Sequence, residues 1–309
     1  MNILHLKYAV EVARAGSINK AAEILLVAQP NLSRSIKELE ADLGITIFDR
    51  SAKGMCLTPD GEAFIGYAKK ILHQITEVED LYKAGKPAKQ QFSISVPRAS
   101  YIADAFAQFV AELSLDPAEI FYKETNSERA IENILHAEYN LGIVRYAEKY
   151  ERYYKELLEV KGLAHEVIAE FHYVLMMRAD SPLNAKEEIR FEDLCPYIEI
   201  AHADPYVPTL PMAQVRKEEL PDNIDRRVYV FERASQFELL SENRDAFMWV
   251  SPGTDKIMQR YGLVQRECAD NKKIYRDVLI CRKDYRPTEL DKRFIDQLAR
   301  SCKKHLKQN

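Results

Sequence analysis

The stretch AAEILLVAQPNLSRSIKELEADLG, residues 21–44, constrains this chain more than any other part of it. Apolar residues repeat at helical spacing on both sides of a very short turn, Val27-Ala28-Gln29. Pro30 fits the first position of the second helix, where a missing N–H removes no hydrogen bond. Leu32, Ile36, Leu39 and Leu43 form that helix's buried stripe, and Gly44 ends it. Pro30, Ser33, Arg34 and Lys37 then share the outward face. A hydroxyl and two cations, beside Gln29 and Asn31, suit hydrogen bonds to phosphates and base edges. They do not read as an ordinary salt-bridged surface, although a solvated helix face is the alternative.

The flanking residues complete the motif. Leu6, Ala9, Val10 and Ala13 place an amphipathic helix ahead of it. Gly16 stops that helix and Ser17 caps the next, which turns Ala21, Ala22 and Leu25 inward. The result is a helix-turn-helix, whose second helix enters the major groove of DNA. Residues 45–58 alternate apolar and polar and turn near Ala52 to Gly54, a small hairpin or wing. Arg50 and Lys53 at its tip can touch the sugar-phosphate backbone or the minor groove; a solvated turn is the alternative. Residues 1–58 are therefore expected to form a winged helix-turn-helix domain. Thr58-Pro59 opens a further helix reaching about Tyr82. In it Phe64, Ala68, Ile71, Ile75, Val78 and Tyr82 step as a heptad seam. The seam predicts pairing of two copies, with packing on its own domain as the alternative. KAGKPAKQQ, residues 83–91, is polar and breaks the pattern, so residues 59–91 read as dimerisation helix plus linker.

From residue 92 strands alternate with helices, the pattern of a mostly parallel α/β sheet. Residues 92–309 are expected to form two lobes, 92–162 with 268–309 and 163–267, crossing near residues 162 and 268. Ligands of open α/β sheets sit outside the carboxyl ends of the strands. Those ends carry Pro97, Arg98 and Ser100; Thr125, Asn126 and Ser127; Tyr146; His202 and Asp204; Glu232, Arg233 and Ser235; and Trp249, Ser251 and Pro252. Hydroxyls and amides spread over two lobes suit a small polar ligand. Arg98 and Arg233 hint at an anionic group on it. Helix capping is the alternative role, above all for Ser127 and Ser235.

Composition removes other classes. No apolar run approaches the roughly 20 residues that span a bilayer. Lys7, Glu11 and Arg14 interrupt the first apolar pattern, which is not that of a secretory signal, so a cytoplasmic location and no membrane partner are expected. The net charge is −4, and the first 60 residues hold seven Lys/Arg against seven Asp/Glu. A case for DNA rests on where charges sit, not on their sum. The five cysteines form no CxxC pair and the seven histidines lack metal-ligand spacing. With no Gly-rich phosphate loop, HExxH or GxSxG, we expect no metal, no cofactor and no enzyme.

The stretch from Ala21 to Arg50 followed by LTPDGEAF resembles LysR-type transcriptional regulators. The matching residues are Ala21-Ala22, Gln29-Pro30, Leu32-Ser33, Ile36, Leu39-Glu40, Leu43-Gly44, Ile47-Phe48, Arg50, Leu57-Thr58 and Gly61. The resemblance implies a winged helix-turn-helix, a linker helix pairing two subunits and a two-lobed, periplasmic-binding-protein-like effector domain. It also implies a homotetramer, double-stranded DNA as partner and a small-molecule effector. Gln29, Pro30, Ser33 and Arg34 would then meet DNA, with Arg50 and Lys53 in the wing, and the effector would lie near Ser100, Thr125 to Ser127, His202 and Trp249. The chain departs from the family at Leu26, a common His; at Ala28, usually a capping Ser worth about 1 kcal/mol; and at Lys53, usually Arg. A solute-binding or enzymatic α/β protein with a helical dimerisation unit is the alternative. A redox switch through Cys195, Cys268 or Cys281 is a third.

Overall fold

The computed structural model describes residues 2–51, 54–82, 89–113, 116–202 and 224–306. The chain divides into two compact units, Met1–Ala88 and Lys89–Asn309.

The first unit contains α1 (Ile3–Ala15), α2 (Ile18–Leu25), α3 (Gln29–Leu43), the hairpin β1 (Phe48–Ser51) and β2 (Gly54–Leu57), and α4 (Pro59–Tyr82). Leu6, Ala9 and Val12 are the residues α1 buries, with Val10 and Ala13 only partly covered. Ser17 Oγ caps α2 by accepting from Lys20 N. Leu32, Ile36 and Leu39 close the core against Ala21 and Ala22, whose small side chains let the helices approach. Ala28 begins α3 without a side-chain cap.

Three residues of the motif hold the wing. Glu40 Oε1 accepts from Ile47 N at 2.7 Å and Phe48 N at 3.1 Å, tying α3 to the start of β1. Thr58 Oγ1 donates to Thr46 O at 2.5 Å and accepts from Gly61 N at 2.9 Å. Gly61 lies so close to the Ile47 carbonyl that a Cβ would stand 2.1 Å from its oxygen. The seam of α4 divides. Ile65 and Ala68 are buried and Phe64 packs on the helix-turn-helix core, whereas Val78 is 54% exposed.

Among its described residues the second unit has two five-stranded sheets. The first, in order β4-β3-β5-β12-β6, uses β3 (Gln90–Val96), β4 (Ala118–Glu124), β5 (Leu141–Ala147), β6 (Leu163–His172) and β12 (Ile274–Arg282). Strands β3, β4 and β5 run parallel and β12 is antiparallel to β5 and β6. Helices α5 (Ser100–Ala111) and α10 (Glu289–His305) cover one face. There Phe92 meets Phe109 and Phe294 at ring distances of 4.8 and 5.2 Å. Helices α6 (Ser127–Leu135) and α7 (Glu151–Val160) cover the other. The second sheet, β11-β7-β10-β8-β9, uses β7 (Val174–Arg178), β8 (Ile198–His202), β9 (Arg226–Val230), β10 (Ala246–Val250) and β11 (Leu263–Arg266). On it pack α8 (Arg233–Glu242) and α9 (Asp255–Tyr261).

The first crossing differs from expectation. Residues 166–178 look like one strand of the second lobe, but β6 pairs with β12 in the first sheet and the chain changes sheets at Tyr173. The boundary near residue 162 is thus corrected to Tyr173. An unbroken apolar pattern carries no mark of a change of sheet, because both strands are half-buried. Likewise β3 starts at Gln90, inside the expected linker, whose residues 83–88 lie outside the described residues.

Candidate nucleic-acid interface and ligand cleft

Helix α3 presents Gln29, Pro30, Asn31, Arg34 and Lys37 exposed, with Ser33 half-buried at the edge of the same face. One expectation fails. The face does carry an ion pair: Arg34 Nε donates to Glu38 Oε1 at 2.8 Å, one turn along the helix. The pair is open, with side chains 81% and 48% exposed, so it contributes only a few tenths of a kcal/mol. A phosphate can take the guanidinium from it at little cost. Arg50 lies in β1 opposite Met55; Lys53 lies outside the described residues. The wing is fixed to the turn before α2 by Met55 N donating to Gly16 O at 3.0 Å. Leu26, in that helix-turn-helix turn, has φ +54° and is 92% exposed.

The carboxyl ends of β3, β4, β5, β8, β9 and β10 supply the other candidate residues, and the structure sorts them. Asn126 caps α6, its Oδ1 accepting from Arg129 N at 2.9 Å. Ser127 is spent on β5: its Oγ accepts from Arg145 N at 2.8 Å and donates to Arg145 O at 2.7 Å. Tyr146 is buried under α6 and α7, stacked on Tyr154 at 4.4 Å, and Trp249 sets its ring against Phe191 at 6.2 Å. These four serve the fold. Pro97, Thr125 and Ser251 are buried at their strand ends, and Arg98 and His202 are half-buried. Asp204 lies outside the described residues.

Ser100 stands apart, because a residue of the other lobe reaches it. Arg233, first residue of α8, donates through Nη2 to Ser100 Oγ at 3.1 Å. Its Nη1 lies 3.5 Å from Glu124 Oε1 at the end of β4, and its guanidinium covers the Phe237 ring at 5.2 Å. Tyr122 OH donates to the same Glu124 oxygen at 3.4 Å. Burial pushes the Glu124 carboxyl up, against the lowering pull of Arg233, the Tyr122 hydroxyl and Arg98. A second tie joins the lobes where Lys256 Nζ donates to Asp104 Oδ1 at 2.9 Å and His305 Nε2 lies 3.3 Å from Asp104 Oδ2. Burial opposes ionisation of Asp104, yet the hydrogen bonds and charges of Lys256 and His305 hold its carboxyl below the usual range.

In the first lobe Arg145 and Asp277 form a two-pronged pair at 2.7 and 2.6 Å, with side chains 10% and 0% exposed. Tyr101 OH donates to Asp277, and Phe171 lies 4.9 Å from the guanidinium carbon. Arg145 Nη1 also donates to the Arg98 carbonyl at 3.4 Å, linking the pair to the β3 loop. Sequence reading missed Glu124, Arg145 and Asp277. A charged residue at the end of an apolar strand, as in EIFYKE, is the signal that could have found Glu124.

Residues 3–62 match the model for bacterial regulatory helix-turn-helix proteins of the lysR family. The N-terminal segment is thus a helix-turn-helix of the lysR-family type. It is 41% identical over 98 residues to the uncharacterized HTH-type transcriptional regulator YcgK of Bacillus subtilis, covering 31% of this chain and 30% of that one. With the HTH-type transcriptional regulator AlsR of Bacillus subtilis it shares 28% over 200 residues, 63% of this chain and 62% of that one. The chain thus spans less than two thirds of these curated relatives. Its fold continues beyond the matched segments. A full-length OxyR from Pseudomonas aeruginosa superposes with TM-score 0.60 at 19% identity, over 99% of this chain and 96% of that one. Full-length CbnR in complex with its target DNA superposes with TM-score 0.59 at 20% identity, over 97% and 100%. The fold is therefore a helix-turn-helix domain followed by a two-sheet α/β unit, as expected from the sequence. Among the described residues no helix is long and apolar enough to cross a membrane.

Proposed function

We propose that the chain is a transcription regulator whose α3 reads double-stranded DNA and whose two-lobed unit holds a small polar effector. The observation that carries the reading is α3 itself: a helix buried along Leu32, Ile36 and Leu39 and exposed along Gln29, Pro30, Asn31, Arg34 and Lys37. Ser33 adds a hydroxyl at the edge of that face, and Arg50 and Lys53 are proposed as wing contacts. Relatives named as HTH-type transcriptional regulators, and the likeness to CbnR on its target DNA, support it.

Two copies pair through the outer half of α4, where Ile71, Ile75 and Val78 line an apolar face with Gln74 and Glu79. The inner half of the seam is already occupied by its own domain, so the pairing surface is shorter than the full heptad run. The effector lies between the lobes beside Ser100, Thr125 and Arg98, with an anionic group near the arginines. Closing the lobes on it changes how paired units hold their DNA-binding domains, and so the spacing or bend of the contacts.

The test is fluorescence anisotropy with the DNA just upstream of the gene, across a salt series, for wild type and Arg34→Ala. A preference over scrambled DNA that Arg34→Ala removes is the expected result. Weak, salt-sensitive binding with no preference, repeated in a selection from random DNA, would falsify the reading and favour a solute-binding protein.

Burial argues against the redox reading at Cys268 and Cys281, though not at Cys195, which is exposed. It raises the Cys268 and Cys281 thiols and, with the Asp277 charge, pushes Cys302 up to about 12, which leaves little thiolate to react.

A further inference from the structure

The charges that meet across the cleft narrow the effector's chemistry. Arg233 comes from the second lobe, and both its partners, Ser100 and Glu124, come from the first. The ion pair is largely withdrawn from water, with side chains 15% and 21% exposed. A ligand that enters here must part it. An anion alone would take Arg233 and leave Glu124 in a poorly hydrated site; a cation alone would do the reverse. Stranding one member of a buried pair is far more costly than replacing both. The surrounding charges do not relieve this. Arg98 pulls on Glu124 and Glu232 opposes it, so two acids face two bases and the set is neutral.

We infer that the effector is a small zwitterion: a molecule with an anionic group for Arg233 and Ser100, a cationic group for Glu124, and no net charge. The inference rests on the cleft being the effector site. It adds a positive pole to the anionic group proposed above.

The test uses the full-length protein and calorimetric titration with the twenty protein amino acids, followed for each binder by its desamino acid and its decarboxylated amine. At least one amino acid should bind, and loss of either charge should weaken binding at least about 10-fold. Glu124→Gln should narrow the gap between the amino acid and its desamino acid, and Arg233→Gln the gap to the amine. A purely structural pair would weaken all three ligands alike. Circular dichroism confirms that each variant is folded. A desamino acid or amine that binds as tightly as its parent overturns the zwitterion and leaves the effector site standing. If no amino acid binds but simple carboxylates do, the zwitterion falls in the same way. If neither set binds and a metabolite extract leaves DNA binding unchanged, the effector reading falls with it.

Discussion

The helix-turn-helix unit and the α/β unit use polar side chains in opposite ways. In the first, the residues that stitch the fold and those free for a partner are different residues. Glu40, Thr58 and Gly61 fasten the wing, while Gln29, Asn31 and Lys37 face solvent. In the second, the strand-end residues that look like ligand contacts are largely consumed by the fold, Ser127 and Asn126 most clearly. What crosses between the lobes is Arg233, which reaches Ser100 and Glu124. A motif is therefore readable where function and folding are divided among residues, and obscured where one residue type serves both.

The sharpest break of this contrast is at the buried pair. Asp277→Ala leaves Arg145 charged and uncompensated, and should cost about 3–5 kcal/mol. The α/β unit's melting transition should fall by about 10 °C in calorimetry, with the first unit's transition unmoved. Glu40→Ala removes the acceptor shared by Ile47 N and Phe48 N and should cost about 1–3 kcal/mol, read as a lower denaturant midpoint for the first unit alone. Leu26→Asn acts in the other direction. A leucine at φ +54° bears a strain that asparagine largely avoids, so urea titration should show a gain of up to about 1 kcal/mol.

Asp104 sharpens the comparison through pH. Its carboxyl is held low in the fold, so its contribution is present above the unfolded value of about 4 and is lost as pH falls through the lower folded value. Stability measured from pH 6 down to 2.5 should drop less steeply at the acid end for Asp104→Asn than for wild type. The smallest effect on stability belongs to Arg34→Ala, within about 0.5 kcal/mol, although this is the change expected to abolish operator preference. A large loss of stability there would mean that α3's outer face serves the fold after all.

Much of the first unit was legible in advance because its signals are local. Pro30, Ser17, Gly16 and Gly44 act within one turn of their own positions, and the 32, 36, 39 stripe needs no knowledge of its partner. The ion pair of Arg34 with Glu38 is equally local, at i, i+4 spacing on the exposed side of α3. The second unit hides its design in separations. Arg145 and Asp277 are 132 residues apart in sequence, and no periodicity links them. Glu124 and Arg233 belong to different lobes, so nothing local marks them as partners. Tyr146 and Trp249 sit at the right strand ends but turn into the cores, a choice fixed by strand register rather than by residue type.

The change of sheet at Tyr173 has a mechanical consequence. The ring of Tyr173 stacks on that of Tyr275, at the start of the returning strand, with centroids 4.1 Å apart. Asn271, in the returning segment, donates through Nδ2 to the Tyr173 carbonyl at 2.8 Å. The two straps between the lobes are thus bolted side by side instead of standing at opposite ends of the seam. Where the cleft ties of Arg233 and Lys256 are parted, lobes held at one such point resist sliding but turn, like jaws on a single pin. Small torsions in a few residues around Tyr173 and Asn271 are then enough to swing the far ends of the lobes, and the pin itself need not loosen.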